Sequence, residues 1–104
     1  MMIYQGDQYA IPITVKRNGT VQTSENIEAL EVIFAGMRKL YPGEIVYQPD
    51  SQAFMFPLNQ SESLALLPDT YDVLGRPKFT DGTISGWLSV GGIKVVEMEG
   101  AASI

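Results

Sequence analysis

Over much of the chain, apolar and polar residues alternate with a period of two. Tyr9, Ile11, Ile13 and Val15 alternate with Ala10, Pro12, Thr14 and Lys16. That gives one apolar and one mostly polar face, the pattern of a half-buried strand. Pro12 has no N–H to give to a ladder, so this strand belongs at a sheet edge or a bulge. Glu44 to Tyr47 and Ala53 to Leu58 read as strands on either side of Gln48-Pro49-Asp50-Ser51-Gln52. Tyr71, Val73, Gly75, Pro77 and Phe79 alternate up to Asp81-Gly82, and Ile84 to Val90 and Ile93 to Met98 read as two more strands. Turn residues punctuate the chain at Asn18-Gly19, Pro42-Gly43, Pro49-Asp50, Pro68-Asp69, Asp81-Gly82 and Gly91-Gly92. Asn-Gly and Asp-Gly supply the positive φ angles of tight hairpin turns. Short strands at intervals of about 8–12 residues predict an all-β sandwich or barrel.

Two segments carry a different signal. Between Ser24 and Tyr41, the residues Ile27, Leu30, Phe34, Met37 and Tyr41 follow the 3, 4, 3, 4 spacing of a helix stripe. The same stretch sets Leu30, Val32 and Phe34 at strand spacing, with β-branched Val32 and Ile33 among them. Gly36 would weaken a helix interior by roughly 1 kcal/mol. Periodicity leaves helix and strand equally open over residues 24–41. Residues 61–66 fit at most one short helical turn, with Ser61 as its cap and Leu64 facing inward.

The 104 residues suit a single domain spanning 1–104, with the tail 100–104 expected to fray. Twelve acidic residues against seven basic ones give a net charge of −5. That balance argues against a nucleic-acid partner, which requires clustered positive surface. The basic residues, Lys16-Arg17, Arg38-Lys39, Arg76 with Lys78, and Lys94, read as solvated surface. No apolar run approaches the ~20 residues of a membrane span, and Met1 to Asp7 lacks the pattern of a signal peptide. The expected location is the cytoplasm or a particle assembled there.

The chain contains no Cys and no His, which removes thiol nucleophiles, Ser-His and Cys-His pairs, thiolate or imidazole metal sites and disulfides. Carboxylates are the only plausible acid/base groups; Glu25, Glu28 and Glu31 lie near one another in sequence, as do Asp69 and Asp72, and they read as solvated surface groups rather than an acid/base pair. Asp50-Ser51-Gln52 and Asp69-Thr70-Tyr71-Asp72 lack calcium-loop spacing. The glycines from Gly82 to Gly92 match no phosphate-binding fingerprint. The expectation is a non-enzyme with no catalytic, cofactor-binding or metal-ligating residues and no cofactor. Among the aromatics Tyr4, Tyr9, Tyr41, Tyr47, Tyr71 and Trp87, most fall in register with core aliphatics. Trp87, between Gly86 and Leu88, is the candidate for an exposed interaction residue, and Tyr71, just after Pro68-Asp69-Thr70, is expected to be a corner tyrosine bonding back to the upstream backbone. Exposed Tyr and Trp on a sandwich also fit a second function, a carbohydrate-binding module.

Certain motifs follow one another along the chain: Ile3-Tyr4-Gln5-Gly6-Asp7-Gln8-Tyr9 before the strand Ile11 to Lys16; Leu30-Glu31-Val32-Ile33-Phe34 before Arg38-Lys39; Asn59 to Leu64 before Leu66-Leu67-Pro68-Asp69-Thr70-Tyr71-Asp72-Val73; and Arg76-Pro77-Lys78-Phe79-Thr80-Asp81-Gly82-Thr83. This order resembles small structural proteins of tailed bacteriophages, in particular the immunoglobulin-like N-terminal domain of phage upper baseplate proteins. The resemblance implies an immunoglobulin-like two-sheet antiparallel β-sandwich of about 7–8 short strands. It also implies a non-enzymatic virion role in tail, baseplate or head, and tips residues 24–41 towards strand. The implied partners are other phage structural proteins, with a second copy of the chain as an open alternative. The implied location is the virion, or the host cytoplasm during assembly. Pro77 departs from the family's preference for aliphatic residues, so an edge or bulge is expected there.

Overall fold

The alternation drives most of the chain into extended backbone. The computed structural model describes residues 1–98, and the tail expected to fray lies outside them. Ten strands and one short helix form: β1 (Met2–Tyr4), β2 (Tyr9–Ile13), β3 (Lys16–Arg17), β4 (Thr20–Val21), β5 (Ile27–Phe34), β6 (Met37–Tyr41), β7 (Val46–Gln48), β8 (Ala53–Leu58), α1 (Gln60–Ala65), β9 (Asp69–Phe79) and β10 (Leu88–Val96). They make a five-stranded sheet in the order β1-β10-β9-β5-β6, a three-stranded sheet β2-β8-β7 and the two-stranded ribbon β3-β4. The chain is thus mostly β, as expected, with more strands than the seven or eight anticipated.

Within residues 24–41 the chain forms two strands, β5 and β6, and no helix. Ala35 and Gly36 take φ angles of +50° and +79°, the mirror-image turn that joins β5 to β6 in two residues. Leu30, Val32 and Phe34 all point into the core. The sheets are not purely antiparallel. β1 runs parallel to β10, pairing Met2 with Lys94 and Tyr4 with Val96. Parallel neighbours need a long connection, and here most of the chain lies between the two strands. The two strands anticipated over 84–98 are one strand, β10, with a bulge between Ser89 and Gly91. The Gly91-Gly92 pair therefore bends a strand rather than turning a hairpin.

Pro12 and Pro77, the two prolines expected at an edge or bulge, sit where a missing N–H costs nothing. Pro12 is on β2, an edge strand. Pro77 is opposite Leu30 of β5, and its carbonyl accepts from the Ser85 N–H on the other side, so its nitrogen faces the region beyond the end of β10.

One continuous core joins the two larger sheets. Ile11 and Ile13 of β2 and Phe54, Phe56 and Leu58 of β8 pack with Ile3, Leu30, Val32, Phe34, Val73, Ile93 and Val95 of the five-stranded sheet. The Phe34 and Phe56 rings meet with centroids 6.0 Å apart. Tyr71 donates its hydroxyl to the Leu67 carbonyl at 2.7 Å while its ring lies 5.8 Å from that of Phe34. This is the corner arrangement expected from the sequence.

The helix is capped two residues earlier than the sequence suggested. Asn59, not Ser61, is its cap: the Asn59 side chain accepts from the Glu62 N–H, and the Glu62 carboxylate accepts from the Asn59 N–H. Ser63, fully buried, faces inward in place of Leu64 because its hydroxyl accepts from the Gly6 N–H and donates to the Tyr4 carbonyl. With the Gln5 amide donating to the Leu66 carbonyl at 2.7 Å, α1 ties down the loop between β1 and β2.

Candidate functional site

Strand alternation divides β5, β6 and β9 into an inner and an outer face, and the outer face is where chemistry and exposure coincide. Cross-strand pairing sets Glu31 beside Arg76 of β9 and Leu40 of β6, and Ile33 beside Leu74 and Arg38. The bridge between Lys78 and Ile84 brings the segment after β9 onto the same face. Leu40, Leu74, Ile84 and Trp87 are all exposed here, Trp87 by 42%. A groove of about 410 Å³ runs among Glu31, Arg38, Leu40, Arg76, Lys78 and Ile84.

Glu31 is the centre of this face. Its side chain is only 10% exposed, and Arg38 and Arg76 cover it from two sides. Arg38 Nε donates a hydrogen bond to Oε2. Arg76 Nη2 is 2.9 Å from Oε1, an ion-pair contact without hydrogen-bond alignment, so Oε1 is held by charge alone. The expectation of a solvated carboxylate is therefore corrected at Glu31, where two long guanidinium stems lie over the carboxylate. Glu28 pairs with Lys78 at 3.2 Å on the exposed rim. The Arg76 guanidinium also stacks on Trp87, 5.2 Å from the ring centroid, which links the charged centre to the aromatic residue.

A second correction concerns Lys39, read from the sequence as solvated. It is buried on the inner face of β6. Its Nζ donates to the Pro57 carbonyl at 2.5 Å and to Glu62 Oε1 at 2.9 Å, and it lies 4.9 Å from the Phe56 ring centroid. Burial opposes ionisation of Glu62, but the Asn59 N–H and Lys39 outweigh it and hold the carboxyl below its ordinary value of 4.5. In the turn after β9, the Thr83 N–H and hydroxyl and the Arg17 guanidinium hold Asp81 down to about 2.

Trp87, the residue selected from sequence, thus belongs to this face. Of the tyrosines, Tyr41 lines the groove, and Tyr47 and Tyr71 do not. Tyr41 and Tyr47 pack against Phe54, at 4.8 Å and 4.9 Å, and Tyr71 against Phe34. Sequence reasoning missed Glu31, Arg38, Arg76 and the three aliphatics around Trp87. The available signal was Arg76 and Lys78 alternating with core-facing Gly75, Pro77 and Phe79, which places both cations on the outer face.

Among the described residues, no group of three or more acidic, His or Cys side chains could hold a metal ion. No described helix is long and apolar enough to cross a membrane. No family model, curated protein or solved structure matches the chain.

Proposed function

We propose that this chain is a non-enzymatic interaction protein that binds other protein subunits through the outer face of its five-stranded sheet. The observation that carries this reading is the gathering of Leu40, Leu74, Ile84 and Trp87 around Arg38 and Arg76 on one exposed sheet face. Trp and Arg are the residue types over-represented among energetic anchors of protein interfaces, and a surrounding aliphatic rim excludes water from them. The fold is read as an immunoglobulin-like sandwich, supported by the core shared between two sheets and by the Tyr71 corner. On the motif resemblance, the partners are structural proteins of a tailed-phage or prophage particle, and the chain works in the virion or, during assembly, in the host cytoplasm.

The test is sedimentation velocity over a wide concentration range, alone and with phage head, tail and baseplate proteins. The expected result is a defined complex that Leu74→Asp and Trp87→Ala weaken by about tenfold or more without altering the far-ultraviolet circular dichroism. An inert monomer under every condition refutes the proposal. So does a glycan titration that quenches Trp87 fluorescence while no protein partner binds, because it transfers the face to sugar recognition.

A further inference from the structure

The two-residue turn at Ala35-Gly36 fixes which backbone groups of β6 point where. Phe34 with Met37, Val32 with Lys39 and Leu30 with Tyr41 are the hydrogen-bonded pairs of the hairpin. The N–H and C=O groups of Arg38 and Leu40 therefore point away from β5. β6 is the last strand of its sheet, so this side is an open edge. The Leu40 carbonyl is taken by the Ile45 N–H at 3.1 Å. What β6 offers outward is the Arg38 N–H, the Arg38 C=O and the Leu40 N–H, a donor–acceptor–donor row of the kind that receives an added strand.

The charge at this edge selects the strand. Beside this edge the Arg38 and Arg76 guanidiniums share the one carboxylate of Glu31, which leaves a positive charge over on a chain whose net charge is −5. The side chain of Arg38 is 60% exposed beside the open edge. On the inner side, Met37 and Tyr41 are half-buried next to the same edge, and Lys39 is already neutralised by Glu62. A second copy pairing edge to edge would bring the two exposed Arg38 side chains towards each other, the like-charge contact by which edge strands resist self-pairing.

From these observations we infer that β6 takes an extended segment of a partner protein as a sixth strand, and that this segment alternates acidic side chains over Arg38 with apolar side chains beside Met37 and Tyr41. The inference rests on the reading of the outer face as an interface and names the chemistry of what binds there.

The probe is a blocked hexapeptide of sequence TEVEVT, added at millimolar concentration to the isotope-labelled chain. The Arg38 and Leu40 amide resonances are expected to shift and their hydrogen exchange to slow. TKVKVT, and TEVEVT with alternate amides N-methylated, are expected to leave both unchanged. Arg38→Glu weakens TEVEVT binding by about tenfold or more. Leu40→Pro removes the outward N–H without touching the β5 ladder, and Arg38→Gln serves as a second variant if that chain fails to fold. Equal binding of the lysine peptide, equal binding of the N-methylated peptide, or shifts confined to the edges at β1, β2 or β7 overturns the inference. Self-association through β6 does the same. A partner complex lost in Leu74→Asp but unchanged in Arg38→Glu overturns strand addition and leaves the interface standing. A complex insensitive to both overturns the two together.

Discussion

Replacing Lys39 by Met tests whether β6 is fixed from within. The buried ammonium holds the strand by its contacts to the Pro57 carbonyl, the Glu62 carboxylate and the Phe56 ring. Met keeps most of the apolar stem and removes all three. A carbonyl left without its charged donor costs about 1–3 kcal/mol. The pair with Glu62, which is itself about a quarter exposed, adds on the order of 0.5–1 kcal/mol. Loss of the cation over the ring adds about 0.5–1 kcal/mol. Relief from burying an ammonium, and the apolar surface of Met, return part of this, on the order of 1–2 kcal/mol. The net expectation is a destabilisation of about 1–3 kcal/mol. Urea unfolding of the wild type, Lys39→Met, Glu62→Gln and the double variant measures it, with an expected coupling of about 1 kcal/mol. A stabilised Lys39→Met, or a coupling within about 0.3 kcal/mol of zero, refutes the reasoning and shows that β6 stays in place by its ladder to β5 alone.

Three further outcomes follow from the same geometry. Tyr71→Phe keeps the ring contact with Phe34 and loses the bond to the Leu67 carbonyl, so calorimetry should record a loss of about 0.5–1.5 kcal/mol. Asn59→Ala removes one half of the capping box and should cost about 1 kcal/mol by urea unfolding. Glu62 and Asp81 both titrate below their ordinary values of 4.5 and 3.8. Each binds a proton more readily when unfolded, so the stability they contribute is complete above those values and is lost as pH falls through the folded ones, down to about 2 for Asp81. Melting temperature against pH should be flat above about pH 5 and fall below it, and Asp81→Asn should flatten the most acidic part of that fall.

Much of the fold is legible in the alternation, and its failures have local causes. The helix stripe from Ile27 to Tyr41 is a by-product of strand geometry. A bulge between Ile27 and Ala29 converts the first spacing to three. The turn at Ala35-Gly36 leaves Phe34 and Met37 paired on one face, which gives the other. Two plain strand repeats supply each spacing of four. Ala-Gly is a weak turn signal beside Asn-Gly at 18–19, so the hairpin did not announce itself. Asn18 and Gly19 did so, and both take positive φ. At the candidate site, Trp87 was identifiable as the lone tryptophan between small and aliphatic neighbours. Glu31 and Lys39 were not, because their burial comes from Arg38, Arg76, Phe56 and Glu62, which only the pairing of distant strands brings near. Parallel pairing of β1 with β10 was equally hidden, since nothing local in Met2 to Tyr4 records the direction of its neighbour.

Trp87 is the one tryptophan of the chain and stands on the proposed interface beside Arg76, so its fluorescence reports on that face alone. Acrylamide quenching, measured on the free protein and on a complex with a phage structural partner verified by sedimentation, is the most direct test. If the outer face is the binding surface, emission shifts to the blue and quenching drops several-fold on complex formation. A verified complex in which Trp87 is quenched as readily as in the free protein places the contact elsewhere on the molecule and contradicts the account.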